Sequence, residues 1–174
     1  MILRPARVLP ETTPAIRAYV AFMMAFITRG LCAASRVDDV VRAEVSGLPE
    51  GFTFEMGVLP NGPSLRLRKA EDGTLVPDVI AGERPELGIR FKHLRHALVS
   101  FTFQESTARS LADDRMLVDG DPALAMRMQR ILDRLLFLTL PEAIAANALK
   151  RLPKTTRLDK ARAITRLMKE MVTP

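Results

Sequence analysis

The 174-residue chain has one cysteine, two histidines, one tyrosine and no tryptophan. A single thiol excludes a disulfide scaffold and any multi-thiolate metal site, and it fits a reducing compartment. Two histidines leave few candidates for a catalytic base. No glycine-rich loop follows a strand pattern, so nothing cradles a phosphate in the usual way. The most apolar stretch, Ala18–Thr28, is held between Arg17 and Arg29, well short of the roughly 20 residues that span a bilayer. As a secretory signal it would follow a long leading region containing Glu11. A buried helix capped by Thr13, with Pro14 in its first turn, accounts for the same residues. The chain is expected to be soluble and cytoplasmic.

Outside its last segment the chain also lacks any excess of charge. The formal net charge is +6. Residues 150–174 carry eight basic groups against two acids, and the remaining residues balance 18 against 18. The excess belongs to the C-terminus, which disfavours a uniformly basic nucleic-acid surface. The eight phenylalanines and the tyrosine fall in apolar-periodic positions and read as core, not as stacking platforms for single strands.

What is present is a 48% hydrophobic composition, nine methionines among it, in a chain long enough to bury a real core. A helix is predicted from Pro14 to about Ala34, with Ser35–Val45 as its extension or a second short helix. From Phe52 the period becomes two: Phe52, Phe54, Met56 and Val58 alternate with polar residues. Asn61-Gly62 is read as a hairpin turn with positive φ angles. Leu65 and Leu67 form the next strand, Thr74–Ile80 an edge strand containing Pro77, and Leu87, Ile89 and Phe91 a fourth. The four are expected to make an antiparallel meander. Helices follow at His93–Phe103 and Ser106–Ala112, then a short strand at Met116–Val118. Gly120-Asp121-Pro122 supplies a turn, a cap and a helix start. Helices are predicted at Pro122–Leu138, Pro141–Leu149 and Thr156–Met171. The order contains no alternating strand–helix–strand unit, which disfavours a doubly wound dinucleotide fold. One α+β unit spans 1–174: a helical extension over 1–48, a core over 50–140 and basic helices over 141–174.

Candidates for chemistry are sparse. His93 and His96 share a helix face, but no third metal ligand is signalled by spacing, and the two read as surface residues. Asp38-Asp39, Glu71-Asp72 and Asp113-Asp114 sit beside turns or helix ends and read as solvated caps. Cys32, in an apolar run, reads as an inert buried thiol. No catalytic residue, metal site or cofactor is expected.

Leu87–Met128 resembles bacterial members of the sterol-carrier-protein type-two superfamily. The likeness lies in the strand ending Ile89-Arg90-Phe91, the helix carrying Phe101-Thr102, and the strand Arg115–Val118 running through Gly120-Asp121 into a long apolar helix. Leu149-Lys150-Arg151-Leu152-Pro153 is similar to tails in such proteins. The resemblance covers about residues 50–153. It implies a five-stranded, mostly antiparallel sheet covered on one face by helices, with an apolar tunnel between the layers. It also implies binding or transfer of sterols, fatty acids or other lipids, without catalysis or cofactor. The lining positions it suggests are Phe91, Leu98, Phe101, Met116, Met126 and Leu132. The chain departs from the family in its apolar N-terminal helix, which could plug the tunnel, and its basic C-terminal helix. The latter reads first as a solvated basic face on a packed helix; the alternative is contact with an anionic membrane surface through Arg157, Lys160, Arg162, Arg166 and Lys169. Nucleic acid is not an expected partner. The alternative reading is an interaction module of the same fold with a filled core and no ligand.

Overall fold

In a computed structural model, residues 13–79, 83–103, 113–140 and 157–172 are described. Thr13 opens helix α1 (Pro14–Val37), its hydroxyl accepting from the Ile16 amide. At the other end Asp38 serves two helices. Its backbone N–H closes α1 on the Ala34 carbonyl, and its carboxylate accepts from the amides of Val40 and Val41 to start α2 (Asp39–Ser46). The predicted extension and the predicted second helix are therefore both present, divided by one residue. At 24 residues, α1 is by length and composition long enough to cross a membrane, but half of its most apolar window is buried inside the fold.

Five strands form one mixed sheet: β1 (Thr53–Val58), β2 (Ser64–Lys69), β3 (Leu75–Pro77), β4 (Leu87–Phe91) and β5 (Met116–Gly120), in the order β3-β2-β1-β4-β5. Three of its four pairings are antiparallel. The exception corrects the expected meander: β4 does not return beside β3 but crosses to the far side of β1 and lies parallel to it, Met56 opposite Ile89. β5 then pairs with β4 antiparallel, Phe91 opposite Met116. The hairpin between β1 and β2 exists, closed by Gly62 N–H to the Val58 carbonyl at 2.8 Å, but neither Asn61 nor Gly62 has a positive φ. The Leu59–Pro60 peptide is cis.

The period-two pattern sorts the sheet into two faces. Phe54, Met56, Val58, Leu65, Leu67, Leu87, Phe91 and Met116 are buried on one. The other carries Glu55, Arg66 and Arg90, with Arg66 paired to Asp78 at 2.8 Å and to Glu55 at 3.5 Å. Lys69, at the end of β2, is buried on the apolar side, and its ammonium donates to the Leu48 carbonyl and the Glu50 carboxylate.

The apolar face is covered by helices: α1, α3 (Leu94–Phe101), α4 (Pro122–Thr139) and α5 (Arg157–Val172). α1 packs over β2 and β3 and against α3, α4 and α5. Its contact with α4 is close, since a Cβ on Gly30 would lie 2.8 Å from a methyl of Leu135. α2 is fixed to α4 by charge: Glu44 takes Arg130 at 2.7 Å and Arg127 at 3.1 Å. The Arg130 hydrogen bond holds the Glu44 carboxyl below the usual carboxylate range. The helices expected at Ser106–Ala112 and Pro141–Leu149, and the Thr156 cap, lie outside the described residues.

Candidate functional site

The sheet face is not filled evenly. α1 covers the β2–β3 side, while over β4 and β5 a gap remains between the sheet and the described helices. Phe91 on β4 and Phe101 at the end of α3 set one corner, their rings 5.6 Å apart and edge to face. Met116, opposite Phe91 in register, continues the floor along β5. The strand then turns sharply. Gly120 has φ +138°, and a Cβ there would run into the Glu86 carbonyl, so only glycine fits the turn without strain. Asp121 caps the next helix through the Ala123 amide, and Pro122 follows at its first position.

That turn aims one face of α4 back across the sheet. Ala125, Gln129, Leu132, Asp133 and Leu136 recur at three- and four-residue steps and line the gap, and Met23 and Ile27 of α1 close its far wall. The result is a mainly apolar pocket of about 560 Å³, within the range of roughly 300–1,000 Å³ typical of small-molecule sites. α1 thus forms one wall of the space among the described residues.

Of the six lining positions carried over by resemblance, Phe91, Phe101, Met116, Met126 and Leu132 meet on this pocket. Leu98 does not: it is half-buried against the core, and Ser100, Phe101 and Phe103 present that part of the wall instead. Met126 is 61% exposed and stands at the mouth. The polar members are Ser100, Gln129 and Asp133. Asp133 is the one ionisable side chain on the described wall, and burial pushes its carboxyl above the usual range.

Elsewhere the side chains fall into structural roles. Cys32 is buried, and burial raises its thiol pKa. Asp72 is held low by the Thr74 hydroxyl in a local turn. Asp38 departs from the expected solvated cap: it is buried and bound by Arg134. The histidines also differ from the expected pair of surface residues. His93 is exposed, but His96 is half-buried, its Nδ1 lacks a hydrogen-bond partner, and burial lowers its pKa. No group of three His, Cys, Asp or Glu among the described residues could hold a metal ion. Nor are all aromatics in the core, since Phe22 is 65% exposed.

The basic helix α5 is anchored by Leu167, which is fully buried, and by Arg36–Glu170 at 3.2 Å. Lys160 lies over the Phe137 ring, 4.3 Å from its centroid. Arg162, Arg166 and Lys169 are exposed. The side chain of Arg157 lies outside the described residues.

No protein-family model matches the chain, and no curated protein matches it in sequence. Among solved structures it is similar to sterol-carrier-protein-2 domains. Sterol carrier protein 2 of Yarrowia lipolytica, in its apo form, is 11% identical, with 71% of this chain covering 95% of that one at a TM-score of 0.47. A UbiJ-SCP2 ubiquinone synthesis protein is 11% identical, with 70% covering 99% at 0.46. The sterol carrier protein domain 2 of Helicoverpa armigera is 13% identical, with 72% covering 94% at 0.44. These are likenesses of fold and assign no activity to the chain.

Proposed function

We propose that the chain binds a lipid noncovalently in the pocket between β4, β5 and helices α1, α3 and α4, and carries it unchanged. The observation that supports this reading is the space itself. It is mainly apolar, it holds about 560 Å³, and it is walled by flexible methionines such as Met23, Met116 and Met126, which adapt to ligands of differing shape. A filled core would leave less than the roughly 300 Å³ low end of ligand sites, so the ligand-free interaction module is the weaker reading. Binding in such a space is driven by apolar burial, about 0.8 kcal/mol for each methylene taken from water, and needs neither metal nor cofactor. The exposed Arg162, Arg166 and Lys169 of α5 lie at four- and three-residue steps, hence on one face. We assign them the role of bringing the body to an anionic membrane surface, where lipid is collected or delivered. Displacement of an uncharged polarity-sensitive dye by long-chain lipids tests the binding step. Saturable displacement at one site per chain is the expected result, and a chain that takes up neither dye nor lipid overturns the reading.

A further inference from the structure

Along its described wall the pocket is apolar except for a short strip on α4 and Ser100 on α3. Gln129 and Asp133 are one helical turn apart on α4 and both face the space, and Ser100 faces it from α3. Asp133 is flanked in sequence by Arg130 and Arg134, yet neither neutralises it. Arg130 is engaged by Glu44, and Arg134 by Asp38, on the side of α4 that meets α2. No lysine, arginine or histidine stands on the described wall. Among the described residues, Asp133 makes no hydrogen bond or ion pair, although it is partly withdrawn from water. A carboxyl in that setting is costly unless a donor reaches it, and the empty space before it is where a ligand's polar end would lie.

We propose, resting on the lipid-binding reading above, that Asp133 is a head-group subsite which selects long-chain ligands ending in a hydrogen-bond donor, a hydroxyl or an amine, over those ending in a carboxylate. A hydroxyl or ammonium donates to the Asp133 carboxylate and removes its unsatisfied state. A carboxylate head brings a second negative charge into a space with no cation on its described wall, which the two anions can share only by taking up a proton. Gln129, one turn away on α4, can hold the head group's remaining lone pairs and protons without adding charge. The apolar wall takes the chain, and the strip around Asp133 fixes which end goes in.

The test uses the full-length chain with an uncharged polarity-sensitive dye, displaced in parallel by 1-hexadecanol and by palmitate at about pH 8, where palmitate in water and an ordinary carboxylate are ionised. Because a hydrogen bond to a charged group contributes about 1.5–3 kcal/mol, the alcohol is expected to displace the dye at a concentration at least about tenfold lower. In Asp133→Asn, which keeps the shape and removes the charge, the two ligands should come to within about threefold of each other. Equal displacement by alcohol and palmitate in the unaltered chain overturns the subsite, whether or not the variant folds, and so does a preference that survives Asp133→Asn. A chain that binds neither dye nor ligand overturns the lipid-binding reading and this one with it. Binding without head-group preference overturns this one alone.

Discussion

Arg134 grips the buried carboxylate of Asp38 across 96 residues of sequence, through Nη2 at 2.8 Å and Nε at 3.2 Å. The same carboxylate caps α2 through the Val40 and Val41 amides. One side chain therefore fixes the break between α1 and α2 and ties it to the helix that walls the pocket. Removing one partner of a buried pair leaves the other charge stranded, at a cost of about 3–5 kcal/mol. Asp38→Ala is expected to lose about that much in denaturant unfolding. A loss below about 1 kcal/mol, the scale of an exposed pair, would show that the contact has no structural weight.

The pocket makes a steric prediction. Ala125 lies on its wall, and Ala125→Trp should fill space that a ligand would use. Displacing even two methylenes costs about 1.6 kcal/mol of burial, so dye affinity should fall by about tenfold or more while the thermal midpoint is kept. Unchanged affinity would place the binding site elsewhere.

Asp133 predicts a pH-dependent stability. Its folded-state pKa is raised by burial, so folding favours the protonated acid. That contribution is present below the unfolded value, about 3.9, and is lost as pH rises through the folded value. Above the folded value the ligand-free protein therefore carries an unfavourable carboxylate, and there Asp133→Asn should unfold at a higher temperature than the unaltered chain. The gain should shrink as pH falls toward about 4. A midpoint difference that does not change with pH would contradict the account.

The membrane role of α5 is tested by charge, not by truncation, because removing the helix would strip the buried Leu167 from the core. Each basic group near an anionic surface contributes about 1 kcal/mol. The triple variant Arg162→Glu, Arg166→Glu, Lys169→Glu should lose most of its co-sedimentation with phosphatidylglycerol vesicles at low salt. Equal sedimentation of the two proteins would exclude this face as the contact.

The elements were largely legible in the sequence because caps and periodicity are local. Thr13-Pro14 and Gly120-Asp121-Pro122 start their helices where the residues predict, and alternation identified the buried side of β1, β2 and β4. Alternation says which face of a strand is buried, however, and not which strand lies beside it. The parallel placement of β4 against β1 is therefore not legible in the pattern, and sequence order alone favours a meander. Leu98, suggested by the resemblance alone, packs against the core, and the wall there is formed by the residues that follow it, Ser100, Phe101 and Phe103. Asp133 is hard to read from sequence for a related reason. Between Arg130 and Arg134 it resembles part of a solvated charged face. Only its spacing from Leu132, Leu136 and Gln129 places it on the inward side of α4, and that signal gains weight once the neighbouring arginines are seen to be bound to α2.

The most direct measurement is mass spectrometry of the gently purified chain, first intact under native conditions and then after organic extraction. The account predicts one long-chain lipid per protein, displaced stoichiometrically by added ligand. Protein recovered without lipid, and unable to take up dye or lipid afterwards, would contradict it.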